Sequence, residues 1–174
     1  SFGVKDFIIC CGYKGYMIKE YFNNYHLHNS DILFDLSNNQ KEILQYPQEN
    51  WNVACIDTGE ETMTGGRLKR VKEYLKNEEF FLFTYGDGLC NIDIKKLVNL
   101  HLYSKTLATV TGVIPPGRFG ALTVENDMVT NFKEKPDGDG SKINGGYFIL
   151  SPKVIEIIKN DTTVWEREPL ELLS

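Results

Sequence analysis

The sequence has no cysteines spaced as Cys-x-x-Cys: Cys10 and Cys11 are adjacent inside an apolar run, and Cys55 and Cys90 stand alone. That spacing argues against a zinc site or a disulfide framework and points to reduced, buried thiols in a cytosolic protein. No apolar run approaches the ~18 residues needed to span a bilayer, and no signal peptide opens the chain, so it reads as soluble and cytoplasmic. Lys+Arg total 19 against 24 Asp+Glu, a net charge of −5. There is no global basic field for a nucleic-acid backbone or an anionic membrane, and an anionic substrate must be held by local groups. The 3 His are scattered and there is no Gly-x-Ser-x-Gly elbow, which argues against acyl transfer. Neither a Walker A loop nor the dinucleotide glycine fingerprint is present.

What is present fits one domain, because 174 residues can bury roughly 70% of the surface exposed when unfolded. The organising stretch is Phe80-Phe81-Leu82-Phe83, which reads as a strand buried on both faces of a parallel sheet and stops on Tyr85-Gly86-Asp87-Gly88. Ligands of open α/β sheets sit outside the carboxyl ends of strands, so Asp87 stands where a bound Mg²⁺ or substrate would be; read alone, it is equally a turn residue between two glycines.

In chain order, Phe7 to Cys11 is a buried strand ending on Gly12, and Lys14 to Tyr25 an amphipathic helix. Ile32 to Leu36, Glu42 to Tyr46 and Asn52 to Ile56 are shorter strands, the last closed by Asp57-Thr58-Gly59. Thr64 is placed to cap a helix carrying Leu68, Val71 and Leu75 to about Lys76. Its glycines either leave N–H groups open for an anion beside Arg67, or it is an ordinary surface helix with a solvated basic face of Lys69, Arg70 and Lys72. Asp93 caps a helix with Ile94, Leu97, Val98 and a half-buried His101 on one face. Leu107 to Val113 is a strand, and residues 121–124 and 128–132 form a hairpin around Glu125-Asn126-Asp127. Asp137 to Ser141 reads as a mobile loop, Tyr147 to Leu150 as a strand, and Pro152 as the N1 residue of a helix. A last helix begins within Trp165 to Ser174, and both ends of the chain look like cuts.

Strands alternating with helices, with Gly and one charged residue at strand ends, point to a nucleotide-binding α/β domain. Phosphoryl and nucleotidyl transfer need an in-line geometry, a divalent cation and positive charge on the oxygens. A sugar phosphate has its second pKa near ~6, so its oxygen is a nucleophile without a general base. A metal carboxylate, for which Asp87 is the candidate, and cations such as Arg67 and Lys135 would suffice.

Several short motifs occur together in one order: Thr62-Met63-Thr64-Gly65-Gly66-Arg67-Leu68-Lys69-Arg70, Tyr85-Gly86-Asp87-Gly88, Pro116-Gly117-Arg118-Phe119-Gly120-Ala121-Leu122, Phe132-Lys133-Glu134-Lys135-Pro136 and Asn144-Gly145-Gly146. In this order the chain resembles the sugar-1-phosphate nucleotidylyltransferase family over nearly its whole length, most closely the members that use CTP and glucose 1-phosphate. The resemblance implies an α/β, Rossmann-like three-layer domain with a mixed, mostly parallel sheet. It implies transfer of CMP from CTP to α-D-glucose 1-phosphate, Mg²⁺ as cofactor, a homo-oligomer, and a place in nucleotide-sugar supply for surface polysaccharide. It further implies that Arg67, Asp87 and Lys135 are catalytic, Asp87 binding Mg²⁺ and Lys135 meeting the sugar phosphate, that Thr62, Arg67 and Gly86 contact the nucleotide, that Glu134 and Asn144 bond glucose hydroxyls, and that Gly145 contacts substrate or nucleotide. Lys and Arg suit phosphate, while Glu and Asn suit hydroxyls.

The departures are at the ends. The family's opening Gly-x-Gly-Thr-Arg loop, its Pro-Lys-Pro lysine and its second metal Asp are not in this sequence. The expectation is that residues 1–174 alone are inactive or nearly so, which turnover near that of ordinary enzymes would refute. Other bases or sugars, and a non-catalytic nucleotide-binding module, stay open at this level.

Overall fold

The computed structural model describes residues 3–115, 121–133 and 142–174. They divide into two compact units, Ser1–Asn77 with Ile155–Ser174, and Glu78–Val154. In the first unit the apolar run after Lys5 becomes β1 (Asp6–Cys11). The helix predicted over Lys14 to Tyr25 is α1 (Gly15–Asn23), and a short second helix that was not predicted, α2 (Tyr25–Asn29), follows it. The break lies at Asn24, whose side-chain Nδ2 and backbone N–H both donate to the Glu20 carbonyl, at 2.9 and 3.0 Å, the self-bonding that makes Asn a poor helix-interior residue. The Asn-rich middle forms an antiparallel hairpin, β2 (Asp31–Asp35) and β3 (Gln40–Gln45), with Asn39 at φ 52° and the Asp35 carboxylate accepting from the Ser37 and Asn38 N–H groups. β4 (Asn52–Asp57) pairs in parallel with β1, from Asp6 opposite Asn52 to Cys11 opposite Asp57.

Next come α3 (Thr64–Arg70) and α4 (Lys72–Leu75), which put Leu68, Val71 and Leu75 into the core. The unit is completed by the chain's last segment, with Ile155, Ile158, Trp165 and Pro169 buried and α6 (Glu168–Leu173) at its end. The basic face expected to be solvated is instead spent on this segment. Lys69 Nζ donates to the Ile158 and Lys159 carbonyls at 2.7 Å each, Arg70 forms a two-point pair with Asp161 (3.0 and 2.6 Å), and Lys72 pairs with Glu156 at 2.7 Å.

In the second unit β5 (Phe81–Thr84) and α5 (Ile94–Ser104) precede β6 (Ala108–Val113). The Asp93 side chain caps α5 as predicted, accepting from the Lys96 N–H at 3.2 Å. His101 is more buried than predicted, at 5% exposure, with Nδ1 2.9 Å from Thr109 Oγ1. The hairpin of β7 (Ala121–Glu125) and β8 (Met128–Lys133) turns on Asn126 and Asp127, at φ 48° and 63°, the double positive φ of a type I′ turn. β9 (Ile143–Leu150) then runs between β5 and β6, antiparallel to both. The chain continues into a 3₁₀ helix (Pro152–Ile157) where Pro152 was expected to open an α-helix.

Two expectations differ here. The sheet was expected to be mostly parallel, but among the described residues β1 with β4 is the one parallel pairing; β5 and β6 run parallel to each other yet are kept apart by β9. Burial is also less even than expected: Phe81 is buried but Leu82 is 39% exposed, and Cys90 is an exposed thiol. No described helix is long and apolar enough to cross a membrane.

The charge pairs set an acid limit. The Arg70 and Lys72 partners hold the Asp161 and Glu156 carboxyls below their ordinary values, and burial lowers His101. Depressed folded pKa values stabilise above the unfolded pKa and lose that stabilisation as pH falls. The melting temperature should therefore begin to decline below about pH 6.5 through His101 and fall further below about pH 4 through the carboxylates. Asp161→Asn should flatten the lower limb of that curve, which a series of thermal melts from pH 7 to 3 checks.

Candidate active site

Within the first unit the candidate residues lie where β1 and β4 end side by side. Thr58, fully buried, donates its N–H and its Oγ1 proton to the Cys11 carbonyl, each at 2.8 Å. Arg67 reaches the same point from α3: Nη1 donates to Thr58 Oγ1 at 2.8 Å and Cys11 O at 3.1 Å, and Nη2 to Glu60 O at 3.1 Å. Gly12 makes room for it, since a Cβ there would lie 2.5 Å from Arg67 Nη2. Thr62 is buried, its Oγ1 packed 2.8 Å from where a Cβ on Gly59 would stand, and Gly59 itself turns at φ 86° with its N–H on Asp57 Oδ1.

The start of α3 is a correction. Thr64 is not the N-cap but the first helical residue after Met63; its hydroxyl donates to Glu166 Oε2 at 2.7 Å and accepts from the Trp165 N–H at 2.9 Å. The Gly65 and Gly66 N–H groups, expected to be open to an anion, donate to the Thr163 carbonyl at 3.0 and 3.2 Å. A Cβ on Gly66 would stand 2.3 Å from Asp161 O, and one on Gly65 2.8 Å from Thr163 O. Those glycines serve close approach of protein to protein, not of protein to ligand.

Within the second unit Gly86 and Asp87 lie on the turn after β5, and Asn144 and Gly145 in the first part of β9. β5 and β9 are in register up to Thr84 opposite Tyr147, which sets the turn after β5 beside the start of β9. Thr84 Oγ1 donates to Gly146 O at 2.9 Å, Tyr147 Oη to Gly88 O at 2.7 Å, and the Tyr85 ring lies against Gly146, which has φ 77°. Asn144 Oδ1 accepts from the Gly146 N–H at 2.8 Å, leaving its Nδ2 protons pointing elsewhere, and Gly145 lets β9 close on Thr111 O of β6. Asp87 is exposed and has no hydrogen bond or ion pair among the described residues; a Cβ on Gly86 would meet nothing within 4 Å. A free carboxylate on an open turn fits Mg²⁺, a hard cation that takes one or two carboxylates and completes its octahedron with water and substrate phosphate. Among the described residues no group of three or more His, Cys, Asp and Glu forms a dedicated metal cage.

Glu134 and Lys135 lie outside the described residues, as do residues 116–120 and the loop at 137–141. Gly12, Thr58 and the Glu60 carbonyl were not anticipated as parts of the site. The Thr58-Gly59 pair at a strand end was the visible signal.

The mixture of parallel and antiparallel strands with covering helices makes this an α/β protein. The chain belongs to the nucleotidyl transferase family, which matches residues 3–173. It is 56% identical over 172 residues to the glucose-1-phosphate cytidylyltransferase of Salmonella typhi, covering 99% of this chain and 67% of that protein. It is 43% identical over 174 residues to the probable glucose-1-phosphate cytidylyltransferase of Bacillus subtilis (strain 168), with 99% and 67% covered. The crystal structure of HddC from Yersinia pseudotuberculosis superposes with a TM-score of 0.64 at 26% identity, over 99% of this chain and 68% of that one.

The glycine geometry separates two roles. Gly66→Ala should cost about 2–3 kcal/mol or more, because the clash is with backbone; Gly86→Ala should stay within about 0.5 kcal/mol. Urea unfolding of both variants checks the contrast.

Proposed function

We propose that this protein transfers CMP from CTP to α-D-glucose 1-phosphate, giving CDP-glucose and pyrophosphate. The observation that carries the reading is 56% identity over 99% of the chain to a glucose-1-phosphate cytidylyltransferase. In this reading an oxygen of the sugar phosphate forms a bond to the α-phosphorus of CTP while the bond from that phosphorus to the β-bridging oxygen breaks, and pyrophosphate leaves. The nucleophile is ionised near neutral pH, so no side chain has to take a proton. Arg67, Thr62 and Gly86 contact the nucleotide. Lys135 neutralises the sugar phosphate, and Glu134, Asn144 and Gly145 line the sugar. Asp87 holds Mg²⁺, which supplies charge neutralisation on the phosphate oxygens and an in-line orientation when bound.

The same reading takes residues 1–174 as part of one Rossmann-like three-layer domain, a view supported by a family match that runs across both compact units. It places the protein in the cytoplasm, in nucleotide-sugar supply for polysaccharide. A homo-oligomer belongs to it as well. That is supported by the exposure of Leu33, Phe34, Leu36 and Leu44 on and beside a two-stranded hairpin, since isolated hairpins are marginal without a covered face.

Full-length protein with CTP, glucose 1-phosphate and Mg²⁺ should release pyrophosphate, with CTP preferred over UTP, dTTP and GTP in competition. Equal use of another base would overturn the CTP assignment, and no release with any of them would overturn the reaction. Asp87→Asn should lower kcat at least a hundredfold and weaken Mn²⁺ binding measured by electron paramagnetic resonance. Unchanged Mn²⁺ binding would remove Asp87 from the metal site.

A further inference from the structure

We propose that Thr58 is a positioning residue that aims the Arg67 guanidinium at the nucleotide, with the missing side chain of Gly12 as the second part of the device. The inference rests on the reading of Arg67 as a nucleotide contact. Thr58 follows the last residue of β4 and is 0% exposed, so its hydroxyl does not serve solvent. A hydroxyl has one proton and two lone pairs. The proton goes to the Cys11 carbonyl at 2.8 Å, which leaves the oxygen to accept from Arg67 Nη1, also at 2.8 Å. Nη1 spends its other proton on the Cys11 carbonyl at 3.1 Å, and Nη2 spends one on Glu60 O at 3.1 Å. Of the five guanidinium N–H donors, the Nε proton and one Nη2 proton remain. The group is planar, so fixing three donors also fixes where those two point.

The charge is left unspent as well. All three fixed partners are neutral oxygens, and among the described residues Arg67 forms no salt bridge with a carboxylate. Arg70, one turn further along α3, is paired with Asp161. An oriented, half-buried cation without a counter-ion is suited to an oxyanion ligand. Gly12 belongs to the same device: a Cβ would stand 2.5 and 2.6 Å from Nη2 and Nη1, so any side chain there must displace the guanidinium. The displaced atoms are the tip of a flexible side chain, so such a variant can fold.

The test uses full-length protein and reads CTP affinity by isothermal titration, KM for each substrate, and thermal melting. Thr58→Val should weaken CTP about tenfold, the loss expected for one hydrogen bond to a charged group. Thr58→Ser, which keeps the hydroxyl, should restore affinity to within about twofold of the parent. Gly12→Ala should weaken CTP in the same direction, and KM for glucose 1-phosphate should move far less than KM for CTP. In an Arg67→Ala background neither Thr58→Val nor Gly12→Ala should weaken CTP further. An equal loss in both backgrounds, or a lower melting temperature with CTP affinity unchanged, would overturn the proposal and leave Thr58 a core hydroxyl only. If Arg67→Ala itself binds CTP as the parent does, the underlying reading of Arg67 fails, a result separable from the first two.

Discussion

The close approach of residues 160–165 to the first turn of α3 is the contact on which the first unit depends. That unit is discontinuous in sequence, and residues 155–174 rejoin it after the intervening chain of the second unit. Gly65 and Gly66 permit the approach, because Asp161 and Thr163 carbonyls occupy the space where their side chains would be. Helix N-termini leave backbone N–H groups without partners, and here the returning chain satisfies them. Around that contact the polar partners are specific: Thr64 with Trp165 and Glu166, Lys69 with two carbonyls, Arg70 with Asp161. The buried Trp165 supplies the apolar part. Exposed ion pairs contribute little singly, so the glycine fit and the tryptophan carry most of the stabilisation, while the charges select the register.

That packing also sets Arg67. A helix anchored at its first turn holds residue 67 at a fixed height, and from there the guanidinium spans to the ends of β1 and β4. The join of two parallel strands is a point where backbone carbonyls emerge unpaired, and Cys11 O collects three donors there. One arginine thus ties helix to sheet while two of its five N–H donors stay outside those three bonds, which keeps its structural role compatible with the proposed nucleotide contact.

Much of this was legible in the sequence. Continuous apolar runs gave β1, β5 and β9 correctly as strands, Asp93 was read as a cap, and Asn126-Asp127 as a hairpin turn, because each rests on local chemistry that tertiary context leaves intact. The direction of pairing was not legible: Phe81 to Thr84 has the apolar character of a parallel core strand, yet its neighbour is β9, which arrives from a remote part of the sequence. The function of Gly65-Gly66 was also hidden, since a glycine pair before an arginine looks the same whether a phosphate or a carbonyl approaches it. Lys69, Arg70 and Lys72 read as a solvated face for a similar reason. Their partners, Glu156, Ile158, Lys159 and Asp161, lie more than eighty residues away in sequence.

The candidate groups of the two units, each taken within its own unit, differ in how far the protein has already engaged them. Arg67 is held by three hydrogen bonds to neutral oxygens, so in the proposed reading its reorganisation on binding is small. Fixed dipoles and charges of this kind are what electrostatic catalysis draws on. Asp87 has no such partner among the described residues and sits on a turn whose neighbours are held, Gly88 by Tyr147, Thr84 by Gly146 and the Tyr85 ring by Phe83 and Phe148. In the proposed reading, a carboxylate without a cationic partner suits a divalent cation that takes one or two carboxylates and keeps several waters. For the proposed reaction, whose nucleophile is already ionised, a held cation and an unpaired carboxylate are the kinds of side chain the chemistry asks for. That is why a site without a general base remains chemically coherent.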